Sequence, residues 1–549
     1  MRSPRPATIV LLLLIAAAYA VPRCVALRGV SSTSELRYVD VLYHLLHVDL
    51  VAKRLVLPAA DPFLARFPEV LQTDKPMRWP PGTYHAAAPW ARLFGPLSIW
   101  TPLLTNLLFT AVLLAGVIGL GAATGQRRVG LWAALLTVLC PPLVAHSWYL
   151  SLDYPLVAMV TVGLLLLWRT DGFARSLDSL ALALWSALGL WVKLTYALYL
   201  LAPSLAVLAL GISRSRREPR AWSRRLGLAL GAAAVTLGVL LLMLDIDLRK
   251  VWGELMVHLA ERPVAGFAGA MFEPWTLRWA GAVFLMAAAS YPWALLVPAL
   301  PAVASLHRRR VVALDPGLRW LLLAFLWGGY VALTLMLNKM ERYLHPLYPV
   351  LCLLTAWWVM TRLPARWRTT VVVWIVTAYA AVLWMFYQSP RPWFVDRRSA
   401  TAEAYLYETR MPGGQELDAL RRLRLSPLCD LRPLDGAVRR LLHRADQISP
   451  ARPVGVLMRL GRAGELVYDE PRLYWYYALL VAGAAPERFV IVQQRPNQPG
   501  DVGPVHEAPL RLVLHDPAVS PGPGQVLAQR PVRTSCGRLV LDARLSLVR

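Results

Sequence analysis

Acidic residues are scarce in this chain. Asp and Glu number 33 against 58 Lys and Arg, and the four types together make up only 17% of 549 residues. A soluble domain carries about 25%, so an ordinary water-facing enzyme of this length is excluded. Cysteine is scarce as well, with five residues in all. Cys24, Cys140 and Cys352 lie in or beside apolar stretches, and Cys429 and Cys536 lie in the C-terminal region. No C-x-x-C or mixed Cys/His spacing occurs, which excludes the usual structural zinc and dithiol motifs. A Cys429–Cys536 disulfide stays open if that region faces an oxidising compartment. H-E-x-x-H, G-x-S-x-G, the phosphate-binding P-loop and the dinucleotide fingerprint are all missing. So are internal repeats and low-complexity tracts.

What is abundant is apolar sequence. The chain is 57% hydrophobic, with a mean hydropathy of +0.46. Several windows reach the roughly 20 apolar residues needed to cross a bilayer. A net charge of +25 in a soluble protein would point to nucleic acid. Here the arginines sit in short clusters between apolar segments, the positive-inside pattern of a polytopic membrane protein. No nucleic-acid partner is expected; membrane lipids are.

The arginine clusters set the direction of each span. The first apolar run extends from Thr8 into Val21 behind Arg2 and Arg5. Ala18-Tyr19-Ala20 has the small-residue pattern of a leader cleavage site, but the many later spans favour an uncleaved first span. Span 2 covers 98–122 and returns to Arg127-Arg128; span 3 covers 130–146 and span 4 covers 154–168. An apolar run then extends from Ser179 to Ile212. As one helix it would be about 51 Å long, too long for a single span. Arg169 and Arg175 precede it and Arg214, Arg216 and Arg217 follow it. Both ends therefore belong on one side, and the run must be a hairpin with Lys193 near its tip. Spans 7 to 11 follow at 226–244, 280–304, 320–337, 344–360 and 370–387. The expected fold is an all-α polytopic membrane protein of about 11 transmembrane helices, occupying residues 1–388. Beyond Gln388 the apolar runs shorten. Glu416–Arg424 and Gly436–Arg444 have helical periodicity, and 454–458, 489–492 and 510–514 read as strands. A small external α/β domain over 389–549 is expected.

The first external loop, 30–97, is rich in polar groups. On a helix Asp40, Tyr43, His44 and His47 share one face at i, i+3, i+4 and i+7. A carboxylate with an imidazole at i+4 is a ready acid–base pair; the alternative is a solvated surface face. Ionisable groups near the membrane core are costly and point to function. Asp153 follows an apolar span and is either a helix cap or a site residue. Lys193 lies in an apolar hairpin, where its alternative role is snorkelling. Arg342, with Lys339, forms a cationic rim suited to phosphate or to interface anchoring. Asp40, Asp153, Lys193 and Arg342 converge on one face of the membrane, and Glu35 is the nearest other acid to Asp40.

The ordered set of motifs resembles a known family. D-V-L-Y-H lies at Asp40–His44, V-L-P at Val56, W-P-P-G-T-Y at Trp79–Tyr84 and L-F-G at Leu93. S-L-D-Y-P-L follows at Ser151, V-K-L-T at Val192 and E-R-Y-L-H-P-L-Y-P at Glu341–Pro349. Over about residues 7–388 this is similar to the polyprenyl-phosphate-dependent glycosyltransferases of the GT-C fold. It resembles glycosyltransferase family 39 in particular, with protein O-mannosyltransferases and the lipid A aminoarabinose transferases. Two departures stand out. The family's Asp-Glu pair appears as Asp40-Val41, with Glu35 as a substitute acid. Its Lys-Pro-Pro appears as Trp79-Pro80-Pro81, with Arg78 and Lys75 nearby.

The resemblance implies a sugar donor on a polyprenyl phosphate and a lipid, glycan or protein acceptor. It implies a bacterial inner membrane setting, with the site and the C-terminal domain on the periplasmic side. Asp40, assisted by His44 or replaced by Glu35, would act as base in an inverting transfer. Asp153 would position the acceptor or a divalent metal ion, the one cofactor the reading admits without requiring. Lys193, Arg342, Lys339 and Arg78 would hold the donor phosphate. The competing class is a lipid or sugar transporter or flippase, whose charges belong at midplane in repeated halves. A third is an inactive relative that binds or assembles.

Overall fold

The computed structural model describes residues 6–27, 48, 80–94, 98, 100–147, 150–244, 293–307, 314–335, 341–388, 447, 454–459, 489–494, 510–515, 525–533 and 540–547. Its helices are α1 (Pro6–Leu27), α2 (Gly82–Phe94), α3 (Trp100–Ala123), α4 (Arg127–Leu139), α5 (Pro141–His146), α6 (Asp153–Arg169) and α7 (Ser176–Val192). They continue as α8 (Tyr196–Arg214), α9 (Pro219–Leu244), α10 (Trp293–His307), α11 (Pro316–Leu335), a 3-10 turn at Glu341–Leu347, α12 (Tyr348–Arg362) and α13 (Ala365–Gln388). Every expected span contains one of these helices. Among the described residues five stretches are long and apolar enough to cross a membrane by length and composition, and Thr8–Val21 and Ser176–Val192 are shorter apolar helices. The protein is thus a polytopic helical membrane protein with a β-sheet in its C-terminal region.

Two local features explain departures from the expected spans. The span expected at 130–146 is broken into α4 and α5. Cys140 adopts φ −63 and ψ 111, the extended conformation that a following proline imposes, and Pro141-Pro142 start the next helix. Helix α2 lies near the end of the 30–97 stretch, where no helix was expected; the helical face expected around Asp40–His47 lies outside the described residues. Helix α2 carries Pro89, a residue that removes one helical N–H bond and conceals the helix in the sequence.

The 34-residue apolar run is a hairpin, as its flanking arginines require. Helices α7 and α8 are separated by Lys193, Leu194 and Thr195 alone. Lys193 is the C-cap of α7, with an extended backbone (φ −161, ψ 128), and its N–H bonds to the Gly189 carbonyl at 2.9 Å. The N–H of Tyr196 in turn bonds to the Lys193 carbonyl at 3.0 Å. The tip therefore leaves no long stretch of bare backbone at the membrane boundary, where unpaired polar groups are costly.

Helix α6 is the hub. It packs against α3, α7, α8 and the 3-10 turn, and its residues Asp153 to Thr161 are buried without a break. Small residues let the neighbours approach. A Cβ on Gly116 would lie 3.0 Å from Val162, and one on Gly119 would strike Leu165. These contacts place α3 and α6 side by side and parallel. In the Tyr343–Arg362 stretch 78% of the span is buried, against 6% in α9. Helix α12 is thus internal and α9 is peripheral.

The C-terminal strands are β1 (Val454–Arg459), β2 (Phe489–Gln494), β3 (Leu510–His515), β4 (Gln525–Arg533) and β5 (Val540–Leu547). They form one sheet in the order β2-β1-β3-β5-β4. The first three are parallel, with Val454 opposite Phe489 and Leu510, and β5 runs antiparallel to both β3 and β4. The three strands read from the sequence match β1, β2 and β3. The edge strand β4 contains Pro531 and a bulge between Val526 and Ala528, both suited to an edge. The helices expected at 416–424 and 436–444, and the Cys429–Cys536 pairing, lie outside the described residues.

Candidate functional site

The first residue of α6 and the tip of the α7–α8 hairpin meet at one end of the helical body. Lys193 Nζ donates to Asp153 Oδ1 at 2.5 Å, with the two side chains 9% and 6% exposed. A buried ion pair is retained only where the geometry serves both partners, since desolvation costs several kcal/mol per ion. Asp153 is the first residue of α6, directly after the N-cap Leu152, and the N–H of Tyr154 bonds to Ser151 Oγ at 3.4 Å. Snorkelling does not describe Lys193, because its ammonium is buried against a carboxylate.

The 3-10 turn closes over this pair. Lys193 Nζ lies 5.4 Å from the centre of the Tyr343 ring, within cation–π range. Tyr199 Oη donates to the Tyr343 carbonyl at 2.6 Å, so α8 holds the turn at its backbone. His345, on the same turn, is fully buried and meets the His146 ring edge-on at 4.0 Å. Tyr343, Tyr199 and His146 were not singled out from the sequence. A tyrosine hydroxyl six residues beyond Lys193 in an apolar run was the available signal for Tyr199.

The end of the first loop reaches the same place. His85 stacks on Trp191 at 5.0 Å, and a Cβ on Gly82 would lie 2.8 Å from the Trp191 carbonyl. Tyr84 and Thr83 are fully buried. The G-T-Y-H segment at Gly82–His85 is therefore packed against Trp191, two residues from Lys193 on the last turn of α7. Burial lowers the His85 imidazole below its ordinary value of 6.5, so it is neutral at pH 7. Asn106 Nδ2 donates to the Ser147 carbonyl at 2.9 Å, and the hydroxyls of Thr110 and Tyr154 lie 2.7 Å apart. The two bonds tie the chain on both sides of Asp153, at Ser147 and Tyr154, to α3.

Of the residues expected in the site, Asp153 and Lys193 are brought into direct contact. Arg342 is placed on the 3-10 turn beside Tyr343; its side chain lies outside the described residues. Glu35, Asp40, His44, Arg78 and Lys339 also lie outside them. Among the described residues no three His, Cys, Asp or Glu side chains converge as metal ligands would.

No protein-family model matches this sequence. No curated protein matches it either. Solved structures do. ArnT from Cupriavidus metallidurans bound to undecaprenyl phosphate aligns over 98% of both chains with a TM-score of 0.51 and 16% identity. The apo state of the same protein aligns over 98% of both chains with a TM-score of 0.50 and 18% identity. The chain therefore shares the fold of ArnT over 98% of its length.

Proposed function

We propose that this protein is a membrane glycosyltransferase that moves a sugar from a polyprenyl-phosphate donor to an acceptor hydroxyl at one face of the membrane. The observation that carries this is the buried Asp153–Lys193 pair under Tyr343, at the end of a fold shared with a protein solved with undecaprenyl phosphate bound. Such a pair in a membrane protein points to a site. The V-K-L-T, S-L-D-Y-P-L and E-R-Y-L-H-P-L-Y-P segments, far apart in the chain, supply its parts.

In the proposed reaction Asp40 takes the proton from the acceptor hydroxyl, with His44 beside it. The oxygen forms a bond to the anomeric carbon as the bond from that carbon to the donor phosphate breaks, with inversion. The electron pair leaves on the phosphate oxygen. An ammonium has three donors, so Lys193 can hold Asp153 and still donate to the phosphate. Arg342, Lys339 and Arg78 complete the cationic rim, and charge stabilisation on the leaving phosphate lowers the barrier. Lipid phosphate leaves as an anion, so one base is enough. Asp153 keeps Lys193 in place and orients the acceptor. The acceptor class is a lipid, glycan or protein hydroxyl, and the site faces the periplasm of a bacterial inner membrane.

The test is transfer from a labelled set of polyprenyl-phosphate sugars, hexose and pentose, by the purified protein. Asp40→Asn removes basicity with little change in shape and should lower turnover by roughly 10²–10⁴-fold. Glu35→Gln should leave it near wild type. The reverse pattern moves the base to Glu35, and wild-type turnover in both removes the base from this part of the loop. Flipping of a fluorescent polyprenyl phosphate in proteoliposomes, without any covalent product, would replace the transferase by a flippase.

A further inference from the structure

The end of the body opposite the Asp153–Lys193 pair is also built with care. Between α6 and α7 the chain turns through Asp171, Gly172 and Phe173, with φ of 51, 68 and 61. Left-handed backbone is costly for residues other than glycine. Arginines secure the turn. Arg225 Nη1 donates to the Asp171 and Gly172 carbonyls at 2.5 and 2.9 Å, and its Nε donates to Ser215 Oγ at 3.0 Å. Arg214 pairs with Asp171 at 3.5 Å, and Arg169 with Asp178 at 3.0 Å.

Four neighbouring arginines have no such task. Arg216, Arg217, Arg220 and Arg224 are all exposed. Among the described residues none of them enters an ion pair, although Glu218 lies between them in the sequence. Arg220 and Arg224 are one turn apart on α9, the least buried of the five long apolar stretches among the described residues. The inner side of α9 is set by Arg225, by Ala229 and Ala232 against the core and by Thr236 donating to the Ala183 carbonyl at 3.0 Å. At about 100° per residue, Arg220 and Arg224 lie on the outer side. That side continues as Gly227, Gly231 and Gly238, where no other atom comes within 4 Å of the space for a Cβ. Exposed Leu242 follows on the same line.

We infer that the outer face of α9 binds an anionic phospholipid, with its phosphate on Arg220 and Arg224 and an acyl chain along the smooth face below. Charge carries the assignment: unpaired guanidiniums at the membrane boundary on a lipid-facing helix fit a phosphate. Arginines near an anionic membrane surface contribute about 1 kcal/mol each, a preference of about 5-fold. The site is separate from the donor site and does not rest on the proposed reaction.

The test is retention of phosphatidylglycerol against phosphatidylcholine by the full-length protein, counted by native mass spectrometry from mixed micelles. Wild type should retain phosphatidylglycerol preferentially. Arg220→Gln with Arg224→Gln should reduce that preference on the order of 10-fold or more. Arg127→Gln with Arg128→Gln, exposed arginines at the same end on α4, should leave it near wild type. Arg220→Lys with Arg224→Lys should keep most of it, and thermal melts check that each variant folds. An equal loss in both glutamine pairs would reduce the site to general surface charge and overturn it. So would an unchanged preference in the α9 pair. A loss that tracks dissociation of a dimer in light scattering would reassign the face to a second copy of the chain.

Discussion

Removing the Lys193 ammonium leaves the Asp153 carboxylate buried without its cation. Breaking a buried pair from one side costs about 3–5 kcal/mol, while replacing both partners by neutral groups costs much less. Lys193→Met should therefore lower the thermal midpoint more than the double change Asp153→Asn with Lys193→Met. If the single and double variants melt alike, the pair contributes no coupling and its position is incidental. Neither variant should transfer sugar at the wild-type rate. Stability and activity thus separate at this pair: the double variant recovers the first without the second. Tyr343 links the pair to the 3-10 turn, because Lys193 lies over its ring and Tyr199 holds its carbonyl.

Glycines decide how closely the helices approach. Gly189 faces Tyr196, and a Cβ there would come within 2.6 Å of the ring. The ring sits between α6 and α7, with Gly163 on its other side. Gly189→Ala should destabilise by about 1–3 kcal/mol through overpacking. Gly231→Ala on the open side of α9 meets nothing and should be neutral or stabilising by up to about 1 kcal/mol from helix propensity. Thermal melts of the two variants in one detergent give the comparison; equal shifts would mean that propensity alone governs both. The α7–α8 hairpin was legible in the sequence because arginines flank an apolar run too long for one helix. The place of Lys193 at its tip followed from the same count. The 3-10 turn was not legible, since Pro346 and a short apolar stretch read as the start of an ordinary span. Tyr343 and Tyr199 meet 144 residues apart, a tertiary fact that no local pattern carries.

For the whole molecule, direction follows from charge. Spans that alternate from Arg2 and Arg5 would leave the first loop, the hairpin tip and the 3-10 turn at one face, with the C-terminal sheet beyond the last span. A fluorescent protein fused after Gln388 should be dark in the periplasm, and alkaline phosphatase at the same point should be active. The opposite pair of results would remove the alternation and separate the first loop from Lys193. The strands β4 and β5 escaped the sequence reading for physical reasons. Pro531 argues against a strand unless the strand is an edge, and β5 alternates apolar residues with Asp542 and Arg544 as a half-exposed strand does. The helical body was more legible than the sheet because membrane spans must be long, apolar and bounded by charge.

The three-residue tip between α7 and α8 also sets how the gene can change length. One residue inserted into α7 turns everything after it by about 100° and moves it about 1.5 Å along the axis. The ammonium of Lys193 would then be turned away from Asp153, and the tip has no spare residue to absorb the shift. Substitutions along the outer side of α7 can accumulate one at a time. Insertions and deletions there cannot, so α7 should keep a fixed length wherever the Asp153–Lys193 pair is kept.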